Sequence, residues 1–179
     1  SIVDGYSAPG VAGADVGPSV QIKASSGVTI GRGFEAKGGN NYANHTAVSV
    51  EDGSARFVIE CNITGAKTGV EIKKSSLGLV SVSCEPQAGQ PMTTGVLLID
   101  HANRVKINNG VFDGPGGMDC AIRIDGTSKY NTIGDCNINP GTVDDPIIID
   151  GVLVTTLGCQ GSLKEKGNRV LAGALDDGL

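Results

Sequence analysis

A short apolar phrase that ends in aspartate recurs at a fixed interval along the chain. Its three copies are Leu98-Ile99-Asp100, Arg123-Ile124-Asp125 and Ile148-Ile149-Asp150. The isoleucine-aspartate pairs stand 25 residues apart both times (124 − 99 and 149 − 124). A fixed period of this length is typical of repeat architectures, in which one turn of chain stacks on the next. Each phrase is short, apolar and bounded by turn residues, which predicts strands.

A second strand column lies between these phrases. Its central residues are Cys61, Cys84, Asn109, Cys136 and Cys159, which follow one another at steps of 23, 25, 27 and 23 residues. The residues two before and two after each are usually apolar, so strand alternation places all of them on one face. The sequence therefore predicts a buried column of these five residues. The amide of Asn109 would be hydrogen-bonded to the backbone of a corner.

Composition agrees with a stack of turns and excludes several other classes. The 28 glycines show no collagen-like period, so they are expected at corners and tight turns. The net charge is −5 and lysine and arginine form no run, which argues against nucleic acid and anionic membranes as partners. The five cysteines lack metal-ligand spacing, and neither His45 nor His101 has ligand partners nearby in sequence. No metal and no cofactor are expected.

The coil of about 25 residues, the stacked aliphatics, the Cys/Asn column and the Gly/Asn corners together resemble a known family. They are similar to the right-handed parallel β-helix of the pectate-lyase-like superfamily, and within it to bacteriophage tailspike and head-decoration proteins. The resemblance implies an all-β, right-handed, single-stranded parallel β-helix of about six coils over residues 19–162. An extended arm (1–18) would precede it, and a short cap (163–179) with a turn or two of helix would follow. It also implies a homotrimer.

The column of Asp100, Asp125 and Asp150 is the sharpest candidate for chemistry. On stacked turns the carboxylates would lie about 5 Å apart, close to the spacing that retaining glycosidases use. The alternatives are a bound cation, or aspartates that end strands by hydrogen-bonding the next corner. The dipeptides Asp125-Gly126 and Asp150-Gly151 favour this structural role, because they are turn signals. Like charges repel, so at least one of the three should have a raised pKa or a nearby cation.

The cysteines admit two interpretations. Free cysteine is among the most buried residue types, which favours a stack of small reduced thiols. The alternative is a pair of disulfides between neighbouring turns, Cys61 to Cys84 and Cys136 to Cys159, since stacked turns would bring their Cα atoms within bridging range.

One outward wall looks apolar. If Val48, Val70, Leu97, Ile122 and Ile147 point inward, Leu98 and Ile148 point outward, with Val96 beside them. Large aliphatics on one wall are typical of a face that another subunit covers. The sequence therefore predicts an oligomer interface at Val96, Leu98 and Ile148.

Aromatic residues make up only 3% of the chain and tryptophan is absent, so a long saccharide groove is hard to build. The sequence is therefore interpreted as a non-enzymatic bacteriophage virion structural protein. It would be a trimeric capsid decoration or spike, located in the virion and assembled in the host cytoplasm. Its partners would be itself and other virion proteins such as capsid. The alternatives are a tailspike-type module that binds or cleaves host-surface glycan, and a free-standing bacterial β-helix.

Overall fold

A computed structural model describes residues 2–3, 6–7, 17–36, 45–139, 141–150, 155–157 and 168–170. These residues form strands, turns and bends and contain no helix. The strands are β1 (Ile2–Val3), β2 (Tyr6–Ser7), β3 (Val20–Lys23), β4 (Thr29–Ile30), β5 (Glu35–Ala36), β6 (Thr46–Glu51), β7 (Val58–Ile63), β8 (Thr68–Lys73), β9 (Leu79–Cys84), β10 (Met92–Ile99), β11 (Lys106–Asn108), β12 (Val111–Phe112), β13 (Met118–Ile124), β14 (Thr132–Gly134), β15 (Asn137–Ile138), β16 (Val143–Ile149), β17 (Thr155–Leu157) and β18 (Asn168–Val170).

The strands belong to two parallel sheets that the chain visits in turn. One sheet has seven strands in the order β18-β16-β13-β10-β8-β6-β3. The other has eleven, with β1-β4-β7-β9-β11-β14-β17 as its main path and the short strands β2, β5, β12 and β15 beside it. Each strand pairs with the one a turn earlier and the one a turn later. The fold is therefore the predicted all-β parallel solenoid, with about five turns where the sequence predicts six.

The core consists of aliphatic columns that run along the stack. In the seven-stranded sheet the first inward column is Val48, Val70, Val96, Ile122 and Ile147, and the second is Val50, Ile72, Leu98, Ile124 and Ile149. Every one of these side chains is fully buried. Alternation along each strand causes this, because residues two apart share a face. The 25-residue period of the sequence is the spacing between members of one column.

The predicted outward position of Leu98 and Val96 is wrong. Both side chains are fully buried, and Leu97 between them occupies the outward position, opposite Glu71 and Arg123. The run Val96-Leu97-Leu98-Ile99 has no polar residue to mark its outer face, so its sequence fits either register. The register is decided by the neighbouring strands, since one residue of slip would turn every side chain to the other face.

A bend in the seven-stranded sheet is made by small residues. In β10, Gly95 and Val96 are both buried although they are adjacent. A Cβ on Gly95 would lie 2.6 Å from the Phe112 ring and 2.7 Å from the Ala121 carbonyl oxygen. Phe112, which is fully buried, thus occupies the space that the missing side chain leaves. The aromatic ring and the glycine are complementary parts of one packing contact.

The corners between the sheets use left-handed backbone. Arg56, Leu77, Arg104 and Tyr130 have φ between 53° and 59°, and Gly27 has φ 69° at the same corner of an earlier turn. Left-handed conformations cost roughly 1–2 kcal/mol for residues with a Cβ. The preceding residues stack as parallel bridges, Ser26 with Ala55, Ala55 with Ser76 and Ser76 with Asn103. One bend is therefore repeated from turn to turn.

Parts of both predicted terminal segments join the sheets. Within residues 1–18, β1 pairs with β4 and β2 pairs with β5. Within residues 163–179, β18 pairs with β16 and extends the seven-stranded sheet. These residues are strands and not arm or helical cap, because a sheet edge offers unpaired backbone groups to which another strand can bond. The remaining predicted cap residues lie outside the described part of the chain.

Candidate functional site

The carboxylate of Asp125 is committed to the corner that follows β13. It accepts hydrogen bonds from the backbone N–H groups of Asp100 (2.8 Å), Thr127 (3.1 Å) and Ser128 (3.0 Å). The hydroxyl groups of Thr127 and Ser128 donate to it as well, at 2.9 and 2.8 Å. An aspartate that follows a strand commonly stabilises a turn in this way. The structural interpretation of Asp125 is therefore confirmed.

Asp100 differs, because its carboxylate faces solvent and two cationic groups. It lies 3.2 Å from His101 Nδ1 and 3.4 Å from Lys74 Nζ. The hydrogen bond from His101, together with Lys74, lowers the pKa of Asp100. The predicted nearby cation is thus present. For Asp150 the corner bond is made by the backbone, since its N–H donates to the Ile124 carbonyl at 2.7 Å.

The electrostatics of Asp125 follow from its hydrogen bonds. Burial raises its pKa, but the N–H of Asp100 and the donors of Ser128 and Thr127 outweigh burial, and the pKa is lowered. A carboxylate held in its charged form by several donors is a poor proton donor, so Asp125 does not have the environment of a general acid.

The cysteines that the structure describes are buried free thiols. Cys61, Cys84, Cys120 and Cys136 make no disulfide. The Cys61-to-Cys84 alternative is wrong because Cys61 pairs with Val82 and Cys84 with Ile63, so the two thiols occupy different columns. Burial raises the pKa of Cys61 and of Cys120 to about 12. Cys159, and with it the Cys136-to-Cys159 alternative, lies outside the described residues.

These four thiols should be unreactive in the native protein. A thiolate is the reactive species, and burial keeps these groups protonated at neutral pH. Titration with a thiol reagent should therefore find them protected until denaturant is added, and the unreduced, denatured protein should then show all of them. Rapid native reaction of these sites, located by mass spectrometry, would contradict the buried arrangement.

Asn109 is not part of the buried column, contrary to the prediction. It is exposed, and its φ of 54° places it in a corner between β11 and β12. The inward positions on either side are Ile107 and Phe112, both fully buried. The alternation that predicted burial stops at this corner. The dipeptide Asn109-Gly110 is itself a turn signal that could have revealed it.

Substitution of Asn109 should therefore act through the backbone. Asn109→Val should lower the free energy of unfolding by about 1–2 kcal/mol, because a β-branched residue is disfavoured at positive φ. Asn109→Gly should be close to neutral. Urea denaturation checks both, with Asn137→Val as the matched control, since Asn137 is also exposed but lies in β15. Equal effects of the two valine variants would argue against the corner.

The corner at Asn109 opens an outer groove on the eleven-stranded sheet. We define the outer groove by Arg32, Glu60, Ser81, Ser83, Asn109 and Val111; its volume is about 370 Å³. Arg32 Nε lies 3.5 Å from a Glu60 carboxylate oxygen. Val111 also lines a larger neighbouring pocket of about 860 Å³ beside Glu85, Pro86 and Asp113, so the two depressions meet at this residue. The sequence analysis did not predict this surface.

Two carboxylates of the larger pocket have different surroundings. Asp113 accepts hydrogen bonds from Asn139 Nδ2 (2.8 Å) and Thr142 Oγ1 (2.9 Å), and these bonds, with that of Thr142 the stronger, lower its pKa. Glu85 is exposed and accepts a bond from the Ser83 hydroxyl at 2.5 Å. Asp113 therefore fastens the loops after β12 and β15 together, whereas Glu85 is accessible to a ligand.

The remaining candidates are placed as follows. Ile148 occupies the predicted outward register, opposite Arg123, yet only 9% of it is exposed. His45 is buried with Nε2 2.8 Å from Ser19 Oγ, and burial lowers its pKa. Within the described ranges, no group of three or more His, Cys, Asp or Glu side chains could hold a metal ion. The described residues also include no helix long and apolar enough to cross a membrane.

Comparisons of the chain with protein-family models, with curated proteins and with solved structures found no match.

Proposed function

We propose that the protein is a non-enzymatic structural protein of a bacteriophage virion, a capsid decoration or spike that assembles as a homotrimer. The observation that carries the non-enzymatic part is the use of the aspartates. Asp125 and Asp113 each accept several hydrogen bonds that hold corners and loops together, and Asp100 is paired with Lys74 and His101. Groups committed in this way maintain a scaffold.

The virion and the trimer are supported by the resemblance of the repeat to phage tailspike and head-decoration proteins. A solenoid of this kind has long, regular outer faces and a solid core, which suits a rod or peg that attaches to a surface. Its partners would be further copies of itself and capsid proteins. A parallel sheet covered by its own core needs no cofactor to fold.

Incubation with bacterial capsular polysaccharides tests the non-enzymatic role. We expect no new reducing ends, no unsaturated uronates and no loss of polymer length after prolonged incubation. Co-sedimentation with phage capsids that lack decoration tests the structural role, and we expect saturable binding. Shortening of any polysaccharide that depends on Glu60 or Glu85 would reject the proposal.

A glycan-binding or glycan-cleaving module is the second candidate, and the outer groove is the observation that favours it. The groove and the pocket beside it have volumes in the range of small-molecule sites. Hydroxyl, amide and carboxylate groups line them. Under this alternative Glu60→Gln and Glu85→Gln would weaken glycan binding, while Asp119→Asn, an exposed change outside the groove, would not.

A further inference from the structure

Exposed large hydrophobic side chains occur on two separate surfaces. Among the described residues they are Leu77 (46% exposed), Tyr130 (55%) and Val111 (37%). Leu77 and Tyr130 lie on the left-handed corner column, and Val111 lies where the outer groove meets the larger pocket. Exposed aliphatic and aromatic groups that gather on particular surfaces mark sites of interaction.

The first surface, which we name the basic corner, consists of Arg56, Leu77, Arg104, Lys129 and Tyr130. The Arg104 guanidinium lies 5.9 Å from the centre of the Tyr130 ring. Within the described part of the chain, Arg56, Arg104 and Lys129 form no ion pair, whereas Lys23, Lys73 and Lys74 are each paired with a carboxylate. The basic corner therefore carries uncompensated positive charge on a protein whose net charge is −5.

The backbone of the basic corner adds a second indication. Glycine or asparagine would fit positive φ at the least cost, yet the corner presents two arginines, a leucine and a tyrosine there. Strained positions often coincide with functional ones. Tyrosine and arginine are also the residue types that contribute most at protein interfaces.

The outer groove has the opposite properties. It is concave where the basic corner is a projecting edge, and it offers the carboxylate of Glu60, with that of Glu85 in the adjoining pocket. Val111 supplies an exposed apolar contact between them. Both surfaces run along the stack across several turns, so their residues repeat at the same spacing of roughly 4.8 Å between strands.

We propose that the basic corner of one subunit docks into the outer groove of a second copy of this chain; this inference rests on the self-assembly in the proposed function. Two unlike surfaces produce head-to-tail contacts, and such contacts close into a ring when successive subunits rotate by the right angle. A two-fold dimer would instead need one self-complementary patch. Leu77 and Tyr130 then cover Val111, while Arg104 and Lys129 face Glu60 and Glu85.

Sedimentation of charge-reversed variants tests the docking. Arg104→Glu/Lys129→Glu and Glu60→Lys/Glu85→Lys should each dissociate the assembly, and the variant with all four changes should regain it. Tyr130→Ala should weaken association at least about tenfold, as expected for an aromatic anchor. Arg123→Glu is the matched control, because Arg123 is exposed but lies outside both surfaces. Thermal unfolding of each variant shows whether it is folded.

Cross-linking determines whether the contact is head-to-tail. Leu77→Cys and Val111→Cys subunits should be joined by a short thiol cross-linker when mixed, and neither variant alone should cross-link through its new cysteine. A cross-link between two Leu77→Cys subunits would overturn the proposal. A trimer that ignores the charge reversals would overturn the docking but keep self-assembly. A monomeric wild type would overturn both, while the non-enzymatic role would still be decided by the polysaccharide assay.

Discussion

Phe112→Ala is expected to lower the free energy of unfolding by about 3–5 kcal/mol, the range found when a fully buried aromatic ring is truncated. The ring packs against the backbone of Gly95, where a Cβ would be 2.6 Å away, and also against Gly110. Glycine cannot extend to fill the cavity, so collapse of the site should be limited. Urea denaturation monitored by circular dichroism measures the loss.

Val111→Ala is the matched control for this change. Val111 is the other residue of β12 and is 37% exposed, so its truncation should cost less than about 1 kcal/mol. If Phe112→Ala were as mild as the control, the ring would not fill the interior and the register of β12 with β9 and β15 would be wrong.

Asp125→Ala is expected to cost about 2–4 kcal/mol, because it removes the acceptor of several hydrogen bonds to a charged group and leaves their donors unpaired. Asp125→Asn should be milder, since its amide oxygen can still accept. Asp119→Ala, at an exposed position, is the control. Equal stability of Asp125→Ala and the control would show that water replaces the carboxylate without loss.

The contribution of Asp125 should depend on pH in one direction. Its pKa in the folded protein is lowered, with hydrogen bonds outweighing burial. The unfolded chain therefore binds a proton more readily, and the stabilisation is fully present above the unfolded pKa of about 3.9. It is lost as the pH falls through the lower, folded pKa. The difference between wild type and Asp125→Ala should thus be constant near neutral pH and shrink in acid.

The sequence was sufficient to predict the fold class because the information is periodic. Ile124 and Ile149 lie one period apart and are paired neighbours in the core. Corner positions were harder. Asn109 follows a strand by one residue, and alternation alone could not show that the backbone bends there. At Leu98 the sequence offered two registers, and only pairing with Ile72 and Ile124 decides between them.

The candidate surfaces were beyond sequence reasoning for a similar reason. Glu85 and Val111 are 26 residues apart and belong to different turns, yet they line one pocket. Leu77 and Tyr130 are separated by two turns of the corner column. Turns of unequal length bring such residues together, and their offset cannot be read from a mean period. The role of Asp125 was predictable because its partners, Thr127 and Ser128, are adjacent in the chain.

The stacking of turns also determines how disorder can spread through the molecule. In the seven-stranded sheet, β8 is bonded to β6 and β10 and to no other strand of its sheet. A fluctuation that separates β3 from β6 therefore reaches β10 only after β8 has also been released. The solenoid resembles a row of coupled units more than a globule that opens all at once. Partly open forms should be ordered along the stack, and amide protons of central strands should exchange with solvent more slowly than those near either edge.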